Sequence, residues 1–229
     1  MLFDLRGRGR RRSIQVIYLS LAILMGGGLV LFGIGGNTSG GLFDAFSGDQ
    51  GTGGANEAVT KRIETLEKRT QANPSDAAAW SRLASVRFQT ATSGENYDQV
   101  NQAYTDKGRA QLRAATAAWE RHLALNPPKA DATVATQMVQ AYGPNGLRRF
   151  DRAVGALELV IDSRDPTSGL YAQLAVLAHA AKQARKSTLA EDKAVELAPD
   201  KQGKDVRAQI QLAKTQLDNQ AGAGQPQAG

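Results

Sequence analysis

The chain contains no cysteine in 229 residues. That excludes disulfides, thiolate metal sites, a cysteine nucleophile and a lipid anchor on cysteine. It leaves the compartment open, because a helical stack needs no covalent staples even in an oxidising space. Histidine is nearly absent too: His122 and His179 are the only two. Neither has an H-x3-H partner or a carboxylate at metal-ligand spacing, so each is read as a packing or surface residue. No G-x-S-x-G elbow and no G-x4-G-K-[ST] loop occur, and the glycine runs form no G-x-G-x-x-G after a strand. The sequence therefore carries no catalytic, cofactor-binding or metal site that its motifs can name, and a non-enzymatic role is expected. Aromatic residues make up only 6% of the chain, whereas 41% is apolar and small side chains dominate. That composition suits closely packed helices better than a β-sandwich, which would want alternating Val, Ile, Tyr and Thr.

Charge of one sign is confined to one end. The formal net charge is +6, but the first 13 residues hold Arg6, Arg8, Arg10, Arg11 and Arg12 against Asp4 alone. The remaining 216 residues carry 23 basic and 21 acidic side chains and are nearly neutral. A nucleic-acid binder would show a basic body rather than a basic arm, so no nucleic-acid partner is expected.

The arm leads into a stretch without charge from Ser13 to Phe43. Its apolar part, residues 14–34, would form a helix of roughly 31 Å, which matches a hydrocarbon core of about 30 Å. It reads as a transmembrane helix. The arginines flank its start and the first charges beyond it, Asp44, Asp49 and Glu57, are acidic, so the positive-inside rule puts residues 1–13 in the cytoplasm and the rest outside. The competing reading is a cleaved signal peptide. The apolar run is longer than such regions usually are, and no clear A-x-A site comes after it. Ala22 and Gly26 form a small-xxx-small pair that could seat a second membrane helix and make a homo-oligomer. Residues 35–56 are rich in Gly, Ser, Thr, Asn and Asp and read as a flexible linker, interrupted by Leu42, Phe43 and Phe46.

From Glu57 onward the apolar period is helical. Val59, Ile63 and Leu66 share one face of a helix that Asn73-Pro74 ends, with Ser75 or Asp76 capping the next. Trp80, Leu83 and Ala84 open a second helix, and Thr92 to Glu95 break it. A long helix is then expected to run to Leu125, with Val100, Tyr104, Leu112, Ala115, Trp119, His122 and Leu123 close to one stripe and Gly108 weakening it. Ala135, Met138, Val139, Ala141 and Tyr142 mark another helix. A GPNG turn at 143–146 separates it from a returning helix lined by Phe150, Ala153, Leu157, Val160 and Ile161. Tyr171, Leu174, Ala175 and Ala178, then Ala194, Leu197 and Pro199, outline a third pair. Residues 204–219 carry Val206, Ile210, Ala213 and Leu217 on one face and read as a capping helix, and residues 220–229 as a disordered tail.

These residues resemble the tetratricopeptide repeat, whose pattern is roughly W-x2-L-G-x2-Y, then A-x3-F-x2-A, then P. The third pair matches in spacing through Tyr171, Leu174, Ala175, Ala178, Ser187, Glu191, Ala194 and Pro199, with Glu191 in place of an aromatic and Ser187 in place of alanine. The first gives Trp80, Leu83, Ala84, Ala115, Trp119 and Pro127, with Arg87 where tyrosine is usual and His122 where a small residue is. It also carries about 19 extra residues between its halves, counted against the family spacing. The second gives Ala135, Met138, Tyr142, Ala153, Leu157, Val160 and Pro166. The resemblance covers roughly residues 57–200. It implies an all-α fold: a transmembrane helix followed by an α-solenoid of about three helix pairs with flanking helices.

The resemblance also implies a role. Such stacks hold peptide segments or partner helices in the groove lined by the first helix of each pair, here Ser81, Ser85, Phe88, Thr136, Gln140, Ala172, Val176 and His179. The insert of the first pair, with Tyr97, Val100 and Tyr104, is expected to extend its helices into a projecting docking surface. The layout looks like the translocon-associated repeat proteins of bacterial envelopes, so the leading reading is a single-pass, membrane-anchored scaffold or chaperone-like adaptor for envelope proteins. Residues 62–84 are similar to the repeat domain of the cytochrome c maturation factors that hold apocytochrome, which is the runner-up. The anchor of an envelope enzyme, such as a peptidyl-prolyl isomerase or a peptidoglycan hydrolase, is the alternative from another class. A purely structural role through Ala22 and Gly26 is the third.

Overall fold

The computed structural model describes residues 52–223. The expectations for the basic arm (Arg6, Arg8, Arg10, Arg11, Arg12), the 14–34 segment with Ala22 and Gly26, most of the 35–56 linker, and residues 224–229 lie outside them. Among the described residues no helix is long and apolar enough to cross a membrane.

The described residues are almost entirely helical: α1 (Thr52–Ala72), α2 (Ala77–Ala91), α3 (Asp106–Ala124), α4 (Ala132–Tyr142), α5 (Phe150–Asp162), α6 (Ser168–Ala180), α7 (Ala184–Glu196) and α8 (Gly203–Ala223). α1 starts five residues before the helical period becomes legible, and α8 runs four residues past Asn219. Packing is sequential. α2 lies against α3, α4 against α5 and α6 against α7, and each pair touches the next. The arrangement is compatible with an α-solenoid, since each helix buries its apolar stripe on its partner and its sides on the neighbouring pair.

Local chemistry sets most boundaries. Asp76, rather than Ser75, caps α2: its carboxylate accepts from the Ala79 N–H at 2.9 Å and pairs with Arg69 of α1 at 2.8 Å. Those contacts hold its pKa below the usual carboxylate range, the Ala79 N–H most and Arg69 next. Thr105, Asp131 and Thr167 cap α3, α4 and α6 in the same way. Trp80 lies partly buried and donates its indole N–H to the Pro74 carbonyl at 2.9 Å, fixing the α1–α2 turn.

The core runs through all three pairs. Trp119, Tyr142, Leu112, Met138, Leu157, Val154, Val160 and Ile210 are its largest fully buried side chains. Alanines let the pairs approach closely: Ala84, Ala115, Ala135, Ala153, Ala175, Ala178 and Ala194 are all fully buried.

One expectation is corrected. The long helix that was to include Val100 and Tyr104 does not exist. Residues 94–96 form a 3-10 turn, and Tyr97–Asp98 (β1) pairs antiparallel with Ala103–Tyr104 (β2) as a hairpin before α3 begins at Asp106. The Asp98 carboxylate accepts from the Val100 and Asn101 N–H groups and the Asn101 amide, folding the tip on itself. Gln102 closes the tip at φ 49°. The Tyr97 and Tyr104 rings meet edge to face at 5.1 Å. Gly108 does not weaken a stripe here; a Cβ on it would lie 2.0 Å from the Asn96 carbonyl oxygen, so its bareness lets the hairpin base seat on α3.

Candidate functional site

The residues expected to line a groove fall into three groups. Ser81 and Phe88 are buried, at 5% and 6% exposure, so they pack inside rather than face solvent. The reason is that α2 is covered on three sides, by α1, α3 and α4, which leaves it only a narrow open face. Ser85, Thr136, Gln140, Ala172 and Val176 are half-buried on the first helices α2, α4 and α6. Of these, Thr136 donates its hydroxyl to the Ala132 carbonyl one turn back, and Ser85 accepts from Gln89. His179 is half-buried and meets the Asp218 carboxylate of α8 at 2.9 Å. Of the insert residues, Tyr97 and Tyr104 are half-buried at the hairpin stem, and Val100 stands at its tip, 91% exposed.

Four polar side chains on the helix pairs each have specific partners. Arg87 reaches the Glu67 carboxylate of α1 and donates to Gln111 of α3 at 2.8 Å, so one side chain ties three helices. His122 is buried; its ring stacks on Trp119 at 4.9 Å, and its Nδ1 donates to the Ala77 carbonyl at 2.8 Å. A carbonyl can only accept, so the proton sits on Nδ1. Ser187 donates to the Ala175 carbonyl at 2.8 Å across the α6–α7 contact. Glu191 accepts from Lys214 of α8 at 2.7 Å and from Gln211, with Arg207 alongside at 3.4 Å. Burial pushes the Glu191 pKa upward, but the Lys214 and Gln211 hydrogen bonds and the two nearby cations outweigh it, and the net shift is downward.

A second constellation centres on the second helices α3 and α5, with Tyr142 from the end of α4 and Arg149 from the turn before α5, and carries no recognisable motif. Glu120 of α3 is its centre. The Tyr142 hydroxyl donates to it at 3.1 Å, Arg149 approaches it at 3.3 Å and Arg152 at 3.9 Å. The Arg149 guanidinium also sits 5.6 Å above the Tyr142 ring. Burial raises the Tyr142 phenol well above its ordinary range, and the Glu120 charge adds to this, so Tyr142 remains a donor. Two crevices flank Glu120. One, of about 220 Å³, is lined by Trp119, Leu123, Tyr142, Arg152 and Ala156; the other, of about 460 Å³, by Arg113, Thr116, Leu147 and Arg149. The GPNG turn delivers these arginines. Gly146 packs so tightly that a Cβ would lie 2.2 Å from the Ala141 carbonyl, and Arg148 follows at φ 55°. Sequence reasoning missed this cluster, whose one local feature is the three arginines within Arg148–Arg152 directly after a turn.

No family model matches the chain, and neither does any curated protein or any solved structure.

Proposed function

We propose that this protein is a non-enzymatic, membrane-anchored adaptor: a tetratricopeptide-like stack that binds protein segments outside the bacterial cell membrane. The half-buried faces of α2, α4 and α6 carry the reading. Ser85, Thr136 and Gln140 are uncharged and can hydrogen-bond, and Ala172 and Val176 on α6 are small and apolar, which suits the backbone of a peptide better than a charged metabolite. The helix pairing, the Pro127, Pro166 and Pro199 stops and the apolar 14–34 segment flanked by arginines support the same reading. The partner is then an envelope protein, and the 14–34 segment would hold the stack at the bilayer.

The test is crosslinking of the full-length chain in its own host, comparing wild type, Gln140→Arg with Ser85→Arg, and deletion of 97–104. An envelope protein recovered with wild type and lost with the two arginine substitutions supports binding on the first-helix face. Loss only with the deletion moves docking to the hairpin. Recovery of the chain alone, crosslinked to itself, overturns the adaptor reading in favour of self-assembly.

A further inference from the structure

We infer that the Glu120 crevices on α3 and α5 form a second docking surface, distinct from the first-helix face, for a short acidic protein segment carrying an apolar residue. This rests on the adaptor reading and names the chemistry of one partner.

The charge balance points to an acidic partner. Arg113, Arg149 and Arg152 gather around two carboxylates, Glu120 and Asp151. Arg113 lines the larger crevice and has no ion pair among the described residues. Three arginines against two carboxylates leave one positive charge uncompensated at the crevices. A helix-to-helix staple would need only Glu120 and one arginine. The patch has two arginines on that carboxylate, at 45% and 53% side-chain exposure, so each keeps N–H groups open to solvent.

The arginines are also held in place beforehand. Arg149 is fixed from two sides, by the Glu120 carboxylate and the Tyr142 ring, and Tyr142 itself is anchored on Glu120. A partner carboxylate meeting a guanidinium already in position loses less ordering entropy. The planar N–H fork of arginine then offers a bidentate match that lysine lacks.

The apolar floor selects a peptide over a phosphate-rich ligand. Trp119, Leu123 and Ala156 line the smaller crevice and Leu147 the larger, directly beside the arginines. That volume suits one apolar side chain with a carboxylate next to it. One uncompensated cation suits a single carboxylate but is too little for the charge density of nucleic acid or an anionic bilayer, which need an extended basic surface.

The experiment uses the full-length protein in nanodiscs of zwitterionic lipid against an array of short synthetic peptides. These place one leucine, one phenylalanine or neither among aspartates and glutamates, with lysine counterparts as controls. Saturable, salt-sensitive binding is expected for acidic peptides that contain the apolar residue. Arg149→Glu and Arg152→Glu should each weaken it about tenfold, the scale of one charge-assisted pair. Arg113→Glu decides the matter, because Arg113 has no internal ion pair to lose: it should also weaken binding several-fold, while Lys204→Glu, the same charge change on α8, should leave it unchanged. Equal binding by wild type and Arg113→Glu, no preference for acidic over basic peptides, or preference for anionic vesicles over every peptide would each overturn the proposal. Failure here with partners still crosslinked through α2 and α4 would leave the adaptor reading standing.

Discussion

The first and third helix pairs solve the same packing problem with opposite materials. In α2–α3 the interface is filled by bulk: Phe88, Leu112 and Trp119 are buried, and the Trp119–His122 stack closes one end. In α6–α7 it is filled by closeness: Ala175, Ala178, Ala190 and Ala194 bring the backbones near enough for Ser187 to bond the Ala175 carbonyl. The first pair can therefore tolerate an insert at its turn, because its large side chains fix the helices independently of that turn. The third pair has a short turn, closed by the Gln183 N–H on the Ala178 carbonyl with Lys182 at φ 61°. Its distal side is then finished by ionic contacts to α8.

Breaking the bulky side should cost most. Trp119→Ala is expected to destabilise the fold by about 3–5 kcal/mol, read from urea unfolding of the helical signal. On the other side, Lys214→Met removes the shortest contact of the Glu191 carboxylate, leaving it Gln211 and Arg207, and should cost about 1.5–3 kcal/mol; Glu191→Leu with Lys214→Leu should recover most of that loss, since apolar pairs replace buried ion pairs well. Gly108→Ala forces the hairpin base off α3 and should cost about 1–3 kcal/mol. It should also mobilise Tyr97 and Tyr104, visible as loss of hydrogen-exchange protection at Thr105.

Acidity separates the pairs further. The folded-state pKa of Glu191 lies below its ordinary value of 4.5, so its contribution is fully present above that pH and is lost as pH falls through the folded value. Wild type should lose its advantage over Glu191→Gln in that acid window, and Trp119→Ala should not change the window. The smallest effect is a gain. Gly155→Ala on α5 has open space around it and should add about 0.5–1 kcal/mol by helix propensity.

The helical stretches were legible because each has an apolar period and a punctuating Pro, Asp or Thr. Trp80, Met138, Tyr171 and Ile210 all sit on helices at the expected places. The insert was not legible as a hairpin. Val100 and Tyr104 are four apart, which counts as one helical turn even though the local residues (Asp98 with Asn101, and two tyrosines) favour a turn between short strands. The first-helix face was half legible: register alone placed Ser81 and Phe88 on it, but burial by α1 and α4 is a matter of neighbours that register does not encode. The Glu120 cluster was not legible, because its members come from α3, α4 and α5 and only their packing brings them together.

Both outermost helices turn charge and amide outward. α1 exposes Glu57, Lys61, Arg62, Glu64 and Lys68, and α8 exposes Lys204, Asp205, Gln209, Gln211 and Gln216. A stack of self-similar units is a one-dimensional lattice, and a lattice whose end faces favour water over a further unit has a fixed number of cells. The described stack thus has a set length. The separation between its first-helix face and the Glu120 crevices becomes a constant of the molecule, and two partners held there would be kept at one spacing, as on a ruler.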